Sequence, residues 1–269
     1  MKKVGILGCG YVGKAAAQHL KQLGYTVSVT TRKAGRLAEL QPYADHIYLI
    51  QADADYLDFI KNQQILIVSV APGATGDYRS TYLGTAELIA SHLSQATQLQ
   101  QIIYTSSTSI YGDHNGEWVQ ENSPLYPSNA QQLILIDTEK ALLNCAWSNI
   151  KICIYRLGEI LGPGRSIENR LKQSTGKVFA GNGNAYTNLI YVDDIVKAIE
   201  LAINKQLDGI FNLCNDLHLP RKLLYERLCQ KLGLPPVQWD ESLTSPHGGN
   251  KRISNKKIKN LDFSFFNFP

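Results

Sequence analysis

The stretch that decides the fold reads Val4-Gly5-Ile6-Leu7-Gly8-Cys9-Gly10-Tyr11-Val12-Gly13. Its apolar start predicts a buried strand, and the helical composition of Lys14 to Leu23, which ends before Gly24, predicts a helix after it. The three glycines between them have G-x-G-x-x-G spacing, in which the first permits a tight turn, the second lets backbone approach a pyrophosphate, and the third allows close helix–strand packing. An ordinary glycine-rich turn is the alternative, but the flanking strand and helix favour a dinucleotide site. Its predicted contacts are Gly8, Gly10, Tyr11, Val12 and Gly13.

The end of the second predicted strand, Thr26 to Thr30, indicates which dinucleotide is preferred. An NAD site commonly has an acidic residue there for the ribose 2′-hydroxyl, whereas an arginine suits a 2′-phosphate. The strand continues into Thr31-Arg32-Lys33, with Arg36 following and no carboxylate before Glu39. Thr31 and Arg32 are therefore candidate contacts and NADP is the predicted cofactor, with NAD left open. The alternative is that Arg32 and Lys33 are solvated loop charges.

Composition and charge are those of an enzyme-sized globular protein. The chain has 269 residues, of which 44% are hydrophobic, enough to bury about three quarters of its unfolded surface. The net charge of +4 comes largely from Lys251-Arg252 and Lys256-Lys257-Ile258-Lys259, and such a run typically forms a solvated face. Nucleic-acid binding needs more basic surface with interleaved aromatic residues and is not expected.

No apolar stretch approaches the roughly 18 residues that span a bilayer, and the chain enters a strand at once rather than a signal peptide. We therefore expect no membrane contact and a cytoplasmic location. The cysteines form no C-x-x-C pair, so neither a disulfide framework nor a metal site is predicted. They are Cys9, Cys145, Cys153, Cys214 and Cys229.

Strand-like and helix-like segments alternate along the chain. The predicted strands are His46 to Ile50, Ile65 to Val70, Gln101 to Thr105, Lys151 to Arg156 and Ile210 to Leu213. The predicted helices are Ser80 to Ser94, Ala130 to Ala146, Asp193 to Ile203 and Lys222 to Leu232. This alternation predicts an α/β fold with a doubly wound parallel sheet of the Rossmann type. Glycine-rich loops after Arg156 indicate a second lobe, so we predict a dinucleotide-binding domain over 1–155, to which 189–213 returns, and a smaller substrate-side lobe over 156–269.

Ligands of such sheets lie beyond the carboxyl ends of the strands. Asp53 follows the third strand and either reaches the adenine end of the cofactor or is a solvated carboxylate. The small residues Val70-Ala71-Pro72 follow the fourth strand and let backbone lie beside the cofactor. The fifth strand ends in Thr105-Ser106-Ser107-Thr108-Ser109-Ile110-Tyr111-Gly112. We predict that Thr105 and Ser106 contact the cofactor and that the hydroxyls after them present donors and acceptors to a substrate carbonyl or sugar hydroxyl.

These motifs resemble the extended short-chain dehydrogenases/reductases of the NAD(P)-dependent epimerase/dehydratase superfamily, over nearly the whole chain. Further matching segments are Leu83-Gly84-Thr85, Arg156-Leu157-Gly158, Gly162-Pro163-Gly164, Tyr191-Val192-Asp193-Asp194 and Phe211-Asn212-Leu213. The resemblance implies a nucleotide-sugar-like or other small polar substrate that the Ser107 hydroxyl orients. Relatives often dimerise through helix pairs, so the resemblance leaves a homodimer open, although the sequence does not reveal the oligomeric state.

One part of the family pattern is missing. In the superfamily a tyrosine on a later helix acts as acid or base, and a lysine four residues on holds the nicotinamide ribose and lowers the tyrosine pKa. Alignment through Thr138-Glu139-Lys140 places Gln131 and Leu135 at these positions, and none of the 14 tyrosines is followed by lysine at +4. Gln131 cannot exchange a proton near neutral pH, and Leu135 has no charge. The chain thus resembles the atypical members, which lack the Y-x-x-x-K pair.

Two functions therefore stay open. In the first, the protein is an oxidoreductase or epimerase/dehydratase with a non-standard proton donor. Tyr111 is the candidate donor, with a packing role as the alternative, and His114 is either a second candidate or a surface-loop residue. In the second, the protein binds NADP(H) without turnover, as a redox-responsive regulator or partner. Arg156 and Arg165 either meet a phosphate or carboxylate or are paired internally.

Overall fold

The computed structural model describes residues 2–73, 76–243 and 249–266. These residues form two compact units. Unit 1 comprises Met1–Ser106, Asn129–Arg156 and Ile195–Phe211. Unit 2 comprises Ser107–Ser128, Leu157–Asp194 and Asn212–Pro269.

Strands and helices alternate through most of the chain. Among the described residues, the strands are β1 (Lys3–Leu7), β2 (Thr26–Thr31), β3 (His46–Leu49), β4 (Ile65–Val68), β5 (Gln101–Ser107), β6 (Trp118–Val119), β7 (Lys151–Leu157), β8 (Glu159–Leu161), β9 (Val178–Ala180), β10 (Leu189–Tyr191), β11 (Gly209–Leu213), β12 (Gln238–Asp240) and β13 (Arg252–Ile253). The helices are α1 (Tyr11–Gln22), α2 (Leu37–Leu40), α3 (Asp53–Ile60), α4 (Tyr78–Thr81), α5 (Leu83–His92), α6 (Ala130–Leu143), α7 (Ile167–Gln173), α8 (Val192–Lys205), α9 (Arg221–Leu232) and α10 (Lys256–Lys259).

The central sheet has seven parallel strands in the order β11-β7-β5-β4-β1-β2-β3. Val4 of β1 lies beside Val27 of β2 on one side and Ile65 of β4 on the other. Strand β4 is buried along its whole length, as expected of a strand that is covered on both faces. The doubly wound α/β sheet that the sequence predicts is therefore confirmed.

The core of unit 1 explains why these segments fold together. Leu66, Ile102 and Ile152, from three neighbouring strands, are fully buried in one cluster with Ile89 of α5 and Leu142 of α6. Burying each such side chain contributes roughly 1.5–3 kcal/mol. The cluster thereby holds the helices against the sheet and positions the loops at the strand ends.

The described residues of unit 2 form three two-stranded parallel sheets that the sequence does not predict, namely β8 with β10, β9 with β12, and β6 with β13. The last pairing explains why the two units differ from the predicted domain boundary. The sequence places residues 107–128 in the dinucleotide-binding domain, but Ser254 donates its N–H to the Val119 oxygen at 2.8 Å and Arg252 donates to Glu117 at 2.9 Å. Residues 107–128 therefore belong to unit 2. The later segment that returns to unit 1 is Ile195–Phe211, against the predicted 189–213.

Within the described part of the chain, no helix combines the length and the apolar character needed to cross a bilayer. All five cysteines are buried.

Candidate functional site

Three glycines shape the loop of residues 8–13, hereafter the glycine loop. Gly8 has a φ of +90°, and a Cβ there would lie 2.5 Å from the Ser69 oxygen. A Cβ at Gly13 would lie 2.2 Å from the Gly8 oxygen. Side chains are excluded at both positions, in keeping with a tight turn and a closely packed helix. At Gly10, by contrast, a Cβ would meet no described atom within 4 Å, so the backbone faces open space.

The glycine loop is fixed in place from β2. The N–H of Gly8 donates to Thr30 Oγ1 at 3.2 Å, and that hydroxyl donates to the Ile6 oxygen at 3.3 Å. Helix α1 begins with Tyr11 and Val12, and its first turn contains no acidic residue. The positive end of a helix dipole suits an anion there. The loop therefore fits the pyrophosphate of a dinucleotide.

Cationic side chains surround the end of β2. Arg36 donates from Nη2 to the Cys9 oxygen at 3.0 Å, so its guanidinium lies beside the glycine loop. Arg32 is exposed and donates to the Tyr56 hydroxyl at 3.4 Å. Thr31 is buried, and its hydroxyl accepts the N–H two residues on at 3.1 Å, which shapes the turn. Arg36, which is not among the contacts predicted from the sequence, is thus the arginine held against the loop.

The other predicted cofactor contacts lie at strand ends of unit 1. Val70 is half-buried against the core, Ala71 is exposed and Pro72 is half-buried. Thr105 donates its hydroxyl to a backbone oxygen of β4 at 3.3 Å. Asp53 is exposed at the start of α3. Their contacts with a cofactor stay predictions.

Ser106 has a hydrogen-bond partner within unit 1. It is buried, and its hydroxyl donates to Glu139 Oε1 at 2.5 Å. Glu139 also accepts from Arg156, at 3.1 Å from Nε and 2.7 Å from Nη2, and both residues are 3% exposed. The Ser106 hydroxyl is thus used within unit 1, and the cofactor contact of Ser106 stays a prediction. Of the two alternatives for Arg156, internal pairing is the one observed.

Helix α6 carries the positions that hold the tyrosine and lysine in the family pattern. Residues 131, 135 and 139 lie four apart and so follow one stripe of the helix. Gln131 is exposed, Leu135 is 3% exposed, and Glu139 is anchored by Arg156. Neither Gln131 nor Leu135 can supply a proton or a cation, so any acid or base must come from elsewhere.

Unit 2 contains a cavity of about 960 Å³. Part of its lining is aromatic, from Phe179, Tyr225 and Trp239, whose ring centroids are 5.5, 5.7 and 5.8 Å apart. The rest includes hydroxyl, amide and charged side chains, among them Ser107, Ser109, Asp113, Arg170, Asn188 and Lys251. Such a lining suits a small molecule that has a ring and several hydroxyl groups.

Ser107 lies in this cavity wall, at the end of β5. Its hydroxyl donates to Ser109 Oγ at 2.9 Å and accepts the N–H of Ser109 at 3.1 Å. Both bonds are local, so they fix the orientation of the hydroxyl within the wall. The substrate-orienting role that the resemblance implies for Ser107 stays a prediction.

Lys251 is a buried cation in the same wall. It is 5% exposed, and its Nζ donates to the Gly112 oxygen at 2.8 Å. Burial lowers the pKa of Lys251 from 10.5 to about 8, partly opposed by Asp113 and Cys214. The sequence places Lys251 on a solvated face, which is wrong for this residue because its neighbours are tied into unit 2. A group that titrates near neutral pH in a cavity is a candidate acid or base.

The depressed pKa of Lys251 has a consequence for stability. The unfolded chain keeps this proton up to about pH 10.5 and the folded chain only to about pH 8, so the unfolded state binds more protons between these values. Stability from this group therefore rises with pH across that window, by at most about 3 kcal/mol. In urea unfolding, the free energy of unfolding of wild type relative to that of Lys251→Met should increase between pH 7 and pH 10.

The exposed lysine of α9, replaced in Lys231→Met, is the matched control for this comparison. A stability difference between wild type and Lys251→Met that stays the same at both pH values contradicts the depressed pKa.

Tyr111 lies in the interior of unit 2. It is 0% exposed, packs in a cluster with Val119 and Ile253, and donates its hydroxyl to Asn212 Oδ1 at 2.7 Å. These contacts agree with the packing alternative, and the catalytic role of Tyr111 stays a prediction. His114 packs its ring 4.9 Å from that of Tyr126 and has one ring nitrogen 3.2 Å from the Tyr111 oxygen.

Comparisons with known proteins point to one family. The model of the NAD dependent epimerase/dehydratase family matches residues 4–214. The chain is 32% identical to Protein YeeZ of Escherichia coli strain K12, over 98% of this chain and 96% of that protein. It is similar in fold to a functionally unknown conserved protein from Silicibacter pomeroyi DSS, with 23% identity, a TM-score of 0.80, and coverage of 100% of this chain and 95% of that one. UDP-glucuronic acid 4-epimerase from Bacillus cereus, in complex with UDP-glucuronic acid and NAD, has 17% identity, a TM-score of 0.81, and coverage of 99% and 95%.

Proposed function

Because the chain belongs to the NAD-dependent epimerase/dehydratase family, we propose that it is an NADP(H)-dependent oxidoreductase or epimerase/dehydratase. Its substrate is a nucleotide-sugar-like or other small polar molecule. The Bacillus cereus relative acts on UDP-glucuronic acid, and the aromatic and polar lining of the unit 2 cavity supports a substrate of similar chemistry.

Residues of unit 1 hold the cofactor in this proposal. The glycine loop binds the pyrophosphate, and Arg36 and Arg32 meet the 2′-phosphate that distinguishes NADP from NAD. When bound, the nicotinamide supplies or accepts a hydride. Arg36 supports the choice of NADP because its guanidinium is already held beside the glycine loop.

The observation that carries the enzymatic proposal is that Ser107 and Lys251 line one cavity of unit 2. The Ser107 hydroxyl orients a substrate oxygen by hydrogen bonding. Lys251 gives up or takes a proton at Nζ as a carbonyl and a hydroxyl interconvert. Its pKa of about 8 gives access to both protonation states near neutral pH. Lys251 thereby takes the acid–base role of the family's tyrosine, at whose position this chain has Gln131.

Turnover by the purified chain tests this proposal. The probes are UDP-glucose and UDP-glucuronic acid with NADP⁺ or NAD⁺, with reduced nicotinamide followed by absorbance and sugar products by NMR. We expect Ser107→Ala to lower kcat/KM about 100-fold, since it removes a positioned donor at the reacting oxygen. Ser91→Ala, which removes an exposed hydroxyl from α5, is the control and should leave kcat/KM unchanged. Equal rates for wild type and Ser107→Ala would rule out the role of Ser107.

A second function is favoured by the exposed Gln131 and the buried Leu135, which leave α6 without the family's acid and cation. In this case the protein binds NADP(H) as a redox-responsive regulator. Thermal unfolding separates the outcomes. A midpoint raised more by NADPH than by NADH, without turnover of the two sugar nucleotides or of simple ketones and aldehydes, supports the regulator. No shift with either nucleotide contradicts both functions.

A further inference from the structure

Three charged side chains form a compact cluster next to the glycine loop. Glu39 of α2 accepts from Arg36 at 2.9 Å from Nε and 3.1 Å from Nη2, so the contact is bidentate. Lys14 of α1 donates to Glu39 Oε1 at 2.9 Å. Arg36 at the same time donates to the Cys9 oxygen at 3.0 Å. One carboxylate therefore engages two cations at the edge of the loop.

The chemistry of this cluster matches that of a phosphate site. A guanidinium fork binds carboxylate and phosphate oxygens in the same bidentate way, and an ammonium adds a point charge. A phosphate monoester carries about −1.5 to −2 charges at neutral pH, against −1 for a carboxylate. Glu39 stays ionised there, because hydrogen bonds from Arg36 and Lys14 lower its pKa to about 2. The two cations are thus already engaged by an anion of the chain itself.

Another anion can readily replace Glu39 in the Arg36–Glu39 ion pair. Arg36 and Glu39 are 31% and 44% exposed, and ion pairs on the surface contribute little to stability because water and salt screen them. Arg36 keeps a second anchor on the Cys9 oxygen, so its guanidinium can stay beside the loop when the carboxylate leaves.

We infer that Glu39 is an internal competitor of the cofactor's 2′-phosphate, holding Arg36 and Lys14 until NADP(H) displaces its carboxylate. The inference rests on the proposed cofactor. NADH has no 2′-phosphate and leaves the pair intact. Glu39 therefore lowers the affinity for NADPH and narrows the preference for NADPH over NADH.

Dissociation constants for NADPH and NADH, measured by calorimetry on the whole chain, test this. We expect Glu39→Gln to tighten NADPH binding about 3- to 10-fold, since one repelling charge is removed at a partly screened site, and to change NADH binding less than about 2-fold. Arg36→Met should weaken NADPH binding about 10-fold or more. Glu87→Gln removes the same charge from another exposed arginine–glutamate pair of unit 1, with Arg79 at 3.6 Å, and should change neither constant.

Each result separates the inference from the proposed function. Wild type that binds neither nucleotide contradicts the proposed function and removes the basis of the competition as well. Wild type that binds NADPH, with an unchanged NADPH-to-NADH ratio in Glu39→Gln, overturns the inference alone. Weaker NADH binding by Glu39→Gln also overturns it, because Glu39 would then be a ligand of the ribose hydroxyls. Unfolding midpoints without nucleotide verify that each variant is folded.

Discussion

Replacing Glu139 with alanine is expected to lower the free energy of unfolding by about 3–5 kcal/mol. Glu139 and Arg156 are each 3% exposed, and the Glu139 carboxylate accepts from Arg156 and from the Ser106 hydroxyl. The substitution removes the carboxylate that neutralises a buried guanidinium and deletes the acceptor of a buried hydroxyl. In a buried site, removing one partner lowers the free energy of unfolding by more than the Glu139–Arg156 ion pair contributes to it, because water cannot take the place of the lost partner.

Thermal and urea unfolding measure this change. In a chain of this size the loss corresponds to a fall of about 10 °C in the unfolding midpoint. Glu87→Ala breaks an exposed pair with Arg79, whose side chains are 55% and 64% exposed, and is expected to cost less than about 1 kcal/mol. The double variant Glu139→Leu/Arg156→Met should recover most of the loss, since it removes both buried charges. A loss below about 1 kcal/mol for Glu139→Ala alone would show that the network is not a principal support of unit 1.

The central sheet could be predicted from the sequence because most of its strands contain a short run of apolar or β-branched residues between turn residues. Strand β4 is predicted at Ile65 to Val70 and observed at Ile65–Val68, and β11 is predicted at Ile210 to Leu213 and observed at Gly209–Leu213. The two- and three-residue strands of unit 2 could not be predicted, because a pairing such as Arg252–Ile253 with Trp118–Val119 is too short to show a period. Its partners are also more than 100 residues apart in the chain.

The candidate site was predictable where a residue type has one local role, and not where the role depends on distant partners. The glycine loop is of the first kind, because φ and close approach are properties of a few neighbouring residues. Lys251 is of the second kind, since its burial depends on the Gly112 turn far along the chain. Glu139 did leave a signal in the sequence. Glu139 lies on the same face of α6 as the buried Leu135 and Leu142. A buried carboxylate is costly unless it is paired, so its position predicts a buried cation such as Arg156.

Replacing Gly10 with alanine is expected to weaken NADPH binding at least about 30-fold while leaving the unliganded protein folded. A Cβ at Gly10 meets no described atom within 4 Å, but its φ of −88° and ψ of −144° lie outside the main α and β regions. The methyl group therefore clashes with no described atom, and its cost to the unliganded chain is the backbone strain of an alanine in this conformation, about 1–3 kcal/mol. The methyl group fills the space through which a pyrophosphate would approach the backbone.

The measurement is the unfolding midpoint with and without NADPH. A ligand at about 100 times its dissociation constant adds roughly 2.7 kcal/mol, which raises the midpoint of a chain of this size by several degrees. Gly10→Ala should lose most of this shift, and it should lower the midpoint without nucleotide by less than Gly13→Ala does. Gly13→Ala should lower that unliganded midpoint as well, because its Cβ would lie 2.2 Å from the Gly8 oxygen. Gly84→Ala, in helix α5, has no described atom closer than 3.8 Å to its Cβ, so it should keep the full shift and gain up to about 1 kcal/mol of stability.

A full NADPH shift in Gly10→Ala would mean that the pyrophosphate does not bind at this loop. The methyl group takes the space that a bound pyrophosphate would occupy, so a nucleotide bound here cannot escape its effect.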